Sequence, residues 1–363
     1  MKKILTIHFV LLTILVGAQD KNVNDIDSTD KLTKPDAHAP IGVMGDHMHK
    51  KGEIMFSYRF MTMWMSGNMV GSDEISDDEI VTTIPNRFAM MPNMPPTLRI
   101  VPQDMQMNMH MLGVMYAPTD WLTLMLMGSY LTRNMELKTY QGMMGTTVLG
   151  NFKTNTSGIG DTRIVGLVKI WKTHSHLIIG NIGFSIPTAS IKEEGEVLTP
   201  MNMRITMRFP YPMQMGSGSF DLLPGLTYNG KSDNLSWGGQ LMSTIRLSDN
   251  KEDYNLGNRF QTTAWLGVPV KSWLSASLRG VYSTQQAIEG IDDDIMGPVQ
   301  TADPDMQGGS RLDVNVGVNI LGQSGFTKGH RLAFEYYLPV YQNLNGPQMA
   351  TKGSLMVGWQ YAF

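Results

Sequence analysis

The sequence predicts an all-β protein: a transmembrane antiparallel β-barrel of about twelve strands, with short periplasmic turns and long extracellular loops. Three observations carry this. The opening "MKKILTIHFVLLTILVGAQD" sets two lysines before an apolar run from Ile4 to Val16 and then small residues, the pattern of a signal peptide cleaved after Ala18. The rest of the chain is rich in segments that alternate apolar and polar residues at period two, so successive side chains leave on opposite faces. Short turns alternate along it with loops often longer than ten residues.

Residues 1–18 are thus the signal peptide, 19–50 a mobile, polar N-terminal segment that hangs in the periplasm or enters the barrel as a small plug, and 51–363 the barrel. Strands are expected at 53–66, 105–117, 121–133, 161–171, 176–187, 218–228, 235–247, 258–268, 273–283, 310–320, 330–341 and 353–363. Turns at 117–120, 172–175, 229–234 and 269–272 face the periplasm. Loops at 67–104, 134–160, 188–217, 248–257, 284–309 and 342–352 face outside. An even count lets both termini lie on one side.

The faces read most clearly near the end, where "RLDVNVGVNI" sets Leu312, Val314, Val316, Val318 and Ile320 against Arg311, Asp313, Asn315, Gly317 and Asn319. In an outer-membrane barrel the apolar set meets lipid and the polar set lines the lumen. The same parity turns Arg59, Arg163, Lys169, Arg246, Arg279, Arg331 and Glu335 inward with Arg311 and Asp313, where such charges brace the wall by mutual pairing. The terminal Phe363, on a final amphipathic strand, resembles the signal read by the barrel assembly machinery. The partners expected are that machinery, outer-membrane lipid, and a small solute or metal ion.

Composition excludes several alternatives. With no cysteine there is no disulfide framework and no thiolate site. A net charge of −3 gives no case for nucleic acid. No mature segment is apolar enough for a spanning helix. No G-x-S-x-G, H-E-x-x-H or P-loop pattern occurs, so no enzyme and no required cofactor is expected.

Methionine is the anomaly, at 31 residues. On the first strand Met55, Met61, Met63 and Met65 travel with Glu53, Ser57 and Arg59, opposite Ile54, Phe56, Tyr58, Phe60 and Trp64. "MQMNMHM" places Met105, Met107, Met109 and Met111 on one face, and Met125 and Met127 follow on the third strand. Three consecutive strands therefore pool methionines in one lumenal sector. A one-residue bulge in the second would turn its methionines to lipid and His110 inward. Thioethers are soft, so Met61, Met63, Met65, Met107, Met109, Met111, Met125 and Met127 read as a track for Cu(I) or Ag(I). His47 and His49, in "MGDHMHKKGE", read as its periplasmic entry or exit site. Also open are, next in order, a flexible apolar wall for a hydrophobic or aromatic solute and, last, unusual residue usage without a ligand. His174 and His176 flank a turn as a solvated pair, and His330 has no partner in sequence.

Finally, "PIGVMGDHMHKKGEIMFSYRFM", "MHMLGVMYAPTDWLTLM" and "PYPMQMGSGSFDLLPGLTY" resemble Met-rich members of the barrel family named for the meta-pathway of phenol degradation. So do the "SxGxGD" of Ser157, Gly158, Gly160 and Asp161 and the "GxSxPT" of Gly183, Ser185, Pro187 and Thr188. That resemblance runs from about Pro40 to Phe363. It implies a barrel and transport and brings no binding residues; a structural barrel without transport is the remaining reading.

Overall fold

The computed structural model describes residues 34–363. The expected signal peptide and residues 19–33 lie outside the described residues. Eighteen strands follow: β1 (Ile54–Gly71), β2 (Asp73–Ile75), β3 (Ile100–Thr119), β4 (Leu122–Tyr140), β5 (Val148–Ile159), β6 (Thr162–Lys172), β7 (His176–Ile186), β8 (Glu194–Leu198), β9 (Arg204–Arg208), β10 (Asp221–Leu222), β11 (Gly225–Lys231), β12 (Ser236–Arg246), β13 (Tyr254–Asn255), β14 (Arg259–Lys271), β15 (Leu274–Gln285), β16 (Glu289–Gly290), β17 (Gly309–Leu321) and β18 (His330–Ala362). Among the described residues no helix is long and apolar enough to cross a membrane.

Eleven strands close a ring, in the order β12, β11, β7, β6, β4, β3, β1, β18, β17, β15, β14 and back to β12. The pairings are antiparallel. β2, β5 and β10 hang on ring members. Closure leaves no free ring edge, the condition for a sheet in lipid. The 33-residue β18 pairs with β17 from Arg331 to Leu344 and with β1 from Leu344 to Ala362. Its halves also touch each other: Gln342 Nε2 donates to Thr351 O at 3.1 Å, and the His330 ring stacks 4.3 Å from Tyr361.

Several expected boundaries move. The expected loop 134–160 holds the end of β4 and all of β5, paired from Tyr130↔Ile159 to Tyr140↔Val148. This hairpin carries Asn134, Glu136, Lys138, Asn151 and Lys153, so a search for a lipid-facing apolar stripe passes over it. The expected loop 188–217 holds the β8–β9 hairpin. The expected loop 342–352 is continuous strand. The expected strand 218–228 breaks between β10 and β11 at Leu223 and Pro224, because proline has no N–H for the ladder. The expected turn at 229–234 gives way to β11 running through Lys231, with the chain reversing where Ser232 N donates to Leu235 O at 2.7 Å.

The wall's outward face is apolar, with Leu112, Leu124, Leu126, Ile182, Leu241, Leu266, Leu278, Val316 and Leu338 exposed. Aromatic side chains ring both ends: Tyr116, Trp121, Trp171, Trp273 and Phe363 on the turn side, and Trp64, Tyr130, Phe184, Phe220 and Phe260 on the loop side. In water so wide an exposed apolar band would aggregate; flanked by aromatic girdles it is a lipid contact.

Residues 35–49 cross the interior with no strand or helix of their own. Their backbone groups still need partners, and inward side chains from five strands supply them. Ser275 Oγ donates to Pro35 O (3.0 Å), Arg331 Nη2 to Ala39 O (2.5 Å), Gln240 Nε2 to Met44 O (2.7 Å) and Asn229 Nδ2 to Asp46 O (2.8 Å). Gly42 N donates to Glu335 Oε2 (2.8 Å) and His49 N to Thr123 Oγ1 (3.2 Å). The polarity of the inner wall thus has a local use: it solvates a strandless peptide.

Candidate functional site

The methionine face follows from strand register. β1 and β3 pair without a shift from Ile54↔Tyr116 to Ser66↔Asp104, and β3 and β4 without one between Asp104 and Tyr116. No bulge therefore reverses the second strand. Met111 and Met115 are 7% and 3% exposed, whereas Leu112 is 67% exposed. His110 points outward, its Nδ1 2.7 Å from the Tyr58 hydroxyl.

The methionines meet across strands in pairs: Met55↔Met115↔Met125, Met61↔Met109, Met63↔Met107 and Met65↔Met105↔Met135. They form three stations. On the turn side Met48, Met55, Met115 and Met125 pack with Val165, Leu167 and Ile179. In the middle Ile41 packs with Met111, Met127 and Met356, with the half-buried Met44, Met61 and Met109 around them. On the loop side Met105 and Met135, with Met65, join Phe152, Phe209 and Met213. Met63 and Met107 are half-buried between the upper two. Of the expected soft-ion residues, Met111, Met125 and Met127 are thus core partners of the N-terminal segment. Met61, Met63, Met65, Met107 and Met109 keep some exposure.

Above the third station lies an apolar cavity of about 220 Å³, lined by Met94, Met135, Met143, Met201, Met203, Met207 and Met296 with Phe152, Phe209 and Ile295. The β8–β9 hairpin and the loops around residues 95 and 297 wall it. At the turn end a second cavity, of about 160 Å³, is lined by His38, His49, Glu53, Met55, Arg331 and Tyr361. The residues from Ala39 to Met48 lie between the two.

The expected pair His47 and His49 is buried, with ring centroids 5.0 Å apart. His49 Nδ1 lies 3.3 Å from Glu53 Oε2. The residue that sequence reading missed is His38, whose ring stands edge-on to His47 at 4.8 Å. One donor atom each from His38, Asp46 and His47 lies within 4.8 Å of the others. The polar "DAHAP" was the available signal, but only the chain's path through the barrel brings it to "GDHMH". Burial raises the pKa of Asp46, but His47 at 2.7 Å, His38 and Arg331 together hold it far below the usual carboxylate range. His174 and His176 form no ligand pair: His176 Nδ1 is 2.9 Å from the Tyr228 hydroxyl and its ring stacks on Trp171, while His174 is exposed.

Some of the expected inward charges pair with one another. Arg279 Nε donates to Glu335 Oε1 at 2.6 Å, Arg311 Nε to Asp313 at 3.0 Å, and Arg246 to Asp221. Arg331 also binds Asn319 and Gln360. Arg59 is buried, Lys169 is half-buried, and Arg163, in register with the buried Ser185, is exposed. The glycine motifs build a corner: β5 ends and β6 begins at Gly160 and Asp161, the Thr188 hydroxyl bonds Gly160 O and Thr162 N, and Asp161 accepts from Ala189 N and Ser217 N.

A closed antiparallel barrel with a lipid-facing band, two aromatic girdles and an occupied interior defines the class of outer-membrane β-barrels. The chain belongs to the family described as "Putative MetA-pathway of phenol degradation", whose profile matches residues 97–338. β1 and the histidine cluster precede that match. No curated protein matches the sequence. Among solved structures, the COG4313 outer membrane channel from Pseudomonas putida F1 has 12% identity, a TM-score of 0.54, and coverage of 89% of this chain and 100% of its own. The P. putida toluene transporter TodX has 9% identity, a TM-score of 0.42, and coverage of 87% and 91%. A Pseudomonas aeruginosa FadL homologue has 10% identity, a TM-score of 0.40, and coverage of 92% and 94%.

Proposed function

We propose that the protein is an outer-membrane channel, not an enzyme, that admits small hydrophobic or aromatic molecules through the methionine-lined cavity on its loop side. The observation that carries this reading is the cavity itself, lined mainly by methionine and other apolar side chains, with Asn93, Thr154, Thr199 and Arg208 among them, and sharing Met135, Phe152 and Phe209 with the cluster that holds Met65 and Met105. Ligand sites of this kind are concave and mostly apolar, and methionine adapts to varied shapes. Residues 35–49 act as a plug that a solute must displace or skirt. β18 counts as two crossings, so the wall is passed twelve times, and the strand ending at Phe363 serves insertion by the barrel assembly machinery.

The cross-strand methionine pairs favour a second reading, a soft-ion track for Cu(I) or Ag(I), since thioethers bind soft ions and ignore Mg and Ca. One variant separates the two. With Met201, Met203, Met207, Met107 and Met109 changed to Leu, aromatic flux into liposomes is expected to stay within about twofold, because volume and apolarity are conserved. Loss of flux in that variant, together with loss of stoichiometric Ag(I) binding, would replace the first reading by the second. Changing Met135 and Met207 to Gln is expected to cut aromatic flux about tenfold or more, since this puts polar amides into the apolar lining, with Met135 only 1% exposed.

A further inference from the structure

Three donors converge on the plug from two stretches of one peptide, and the use of that convergence is separate from what the channel carries. We infer that His38, Asp46 and His47 form a binding site for a borderline divalent transition-metal ion such as Cu(II) or Zn(II), which pins the plug in its folded path.

The geometry suits such an ion. The three donor atoms lie within 4.8 Å of one another, and ligands of one ion at about 2.0–2.2 Å stand roughly 3–4 Å apart. Small side-chain rotations close that difference. Two imidazoles and a carboxylate form a nitrogen and oxygen set, which favours Cu(II) or Zn(II) over the Cu(I) and Ag(I) that thioethers prefer. Asp46 and His47 are 5% and 4% exposed, and Asp46 already accepts from Ala39 N at 3.1 Å and contacts His47 at 2.7 Å, so both are held in place.

Access comes from the turn side, where the cavity of about 160 Å³ reaches His38 and His49 and leaves room for water ligands. His49 stays outside the set, engaged with Glu53. The ion would tie residue 38 to residues 46 and 47 and so close the loop that carries Ile41 and Val43 into the barrel. The other acidic cluster, Glu252, Asp292 and Asp294, differs in that Arg208 already pairs with all three.

The test is Cu(II) added to the folded, full-length, detergent-solubilised protein stripped with chelator. One equivalent is expected to bind, with an electron paramagnetic resonance spectrum split by two imidazole nitrogens, and to raise the melting temperature. His38→Ala should retain the barrel, judged by heat-modifiable gel mobility, lose one nitrogen from the spectrum and bind at least about tenfold more weakly. His174→Ala should match the wild type. His47→Ala should behave as His38→Ala does; if it does not fold, Asp46→Asn replaces it, with both nitrogens kept in the spectrum and binding at least about tenfold weaker. Absence of stoichiometric binding, or a spectrum unchanged in His38→Ala, overturns the site. Neither result depends on aromatic flux, so the channel reading stands or falls separately.

Discussion

Asp46 holds two parts of the plug together at once, its oxygens engaged by Ala39 N at 3.1 Å and His47 Nδ1 at 2.7 Å. Because its folded pKa is lowered, its contribution to stability is full above the unfolded value of about 3.9 and declines as pH falls below that toward the folded value. Trp265 reports it, being 4% exposed and packed on Ala39 and Val43. As pH falls from about 4 to about 2 its emission is expected to shift to the red, and Asp46→Asn should show that shift already at pH 7. An unchanged spectrum across that range would mean that Asp46 does not hold the segment. Glu335 makes a stronger case of the same kind, since it pairs with Arg279 where both side chains are about 2% exposed or less and also holds Gly42 N. Glu335→Ala leaves the guanidinium buried without its carboxylate and is expected to cost about 3–5 kcal/mol, measured as a lower urea midpoint for unfolding in detergent.

At the scale of elements, the corner between β5, β6 and β7 explains the two glycine motifs without a ligand. A Cβ on Gly183 would stand 2.5 Å from Ile164 O, a backbone atom of the paired strand that cannot give way. Gly183→Val is therefore expected to destabilise the barrel by about 1–3 kcal/mol and to lower the temperature of gel-mobility conversion. Gly128→Ala, at a position with open space where a Cβ would sit, should change it little. The methionine strands show the same logic in reverse. Period two set the face, and an unbroken register from Ser66 to Ile54 on β1 kept every methionine of "MQMNMHM" on it.

For the whole molecule, the interior is filled where a simple pore would be empty. Deleting residues 35–49 removes the peptide that lies between the two cavities and leaves the ring pairings untouched. The expected result in planar bilayers is a several-fold rise in single-channel conductance, with the deleted barrel still resistant to SDS at room temperature. Conductance equal to the wild type would place the block elsewhere, in the loops above the methionine cavity.

The sequence by itself determined the class of fold, because a strand in lipid must carry an apolar stripe at period two and aromatics at its ends, and both are written residue by residue. Parity also suggested inward methionines on the first three strands, but a bulge could have reversed the second, and the unbroken β1–β3 register decided it. It left the β4–β5 extension and the β8–β9 hairpin hidden, because strands outside the membrane need no apolar stripe and look like loops. Only the tertiary structure decided that "DAHAP" meets "GDHMH", that Met111 and Met127 pack on Ile41, and that the polar inner wall serves the backbone of residues 35–49. Those contacts join the interior segment to itself and to the strands around it, and no spacing along the chain encodes a path through the barrel's interior.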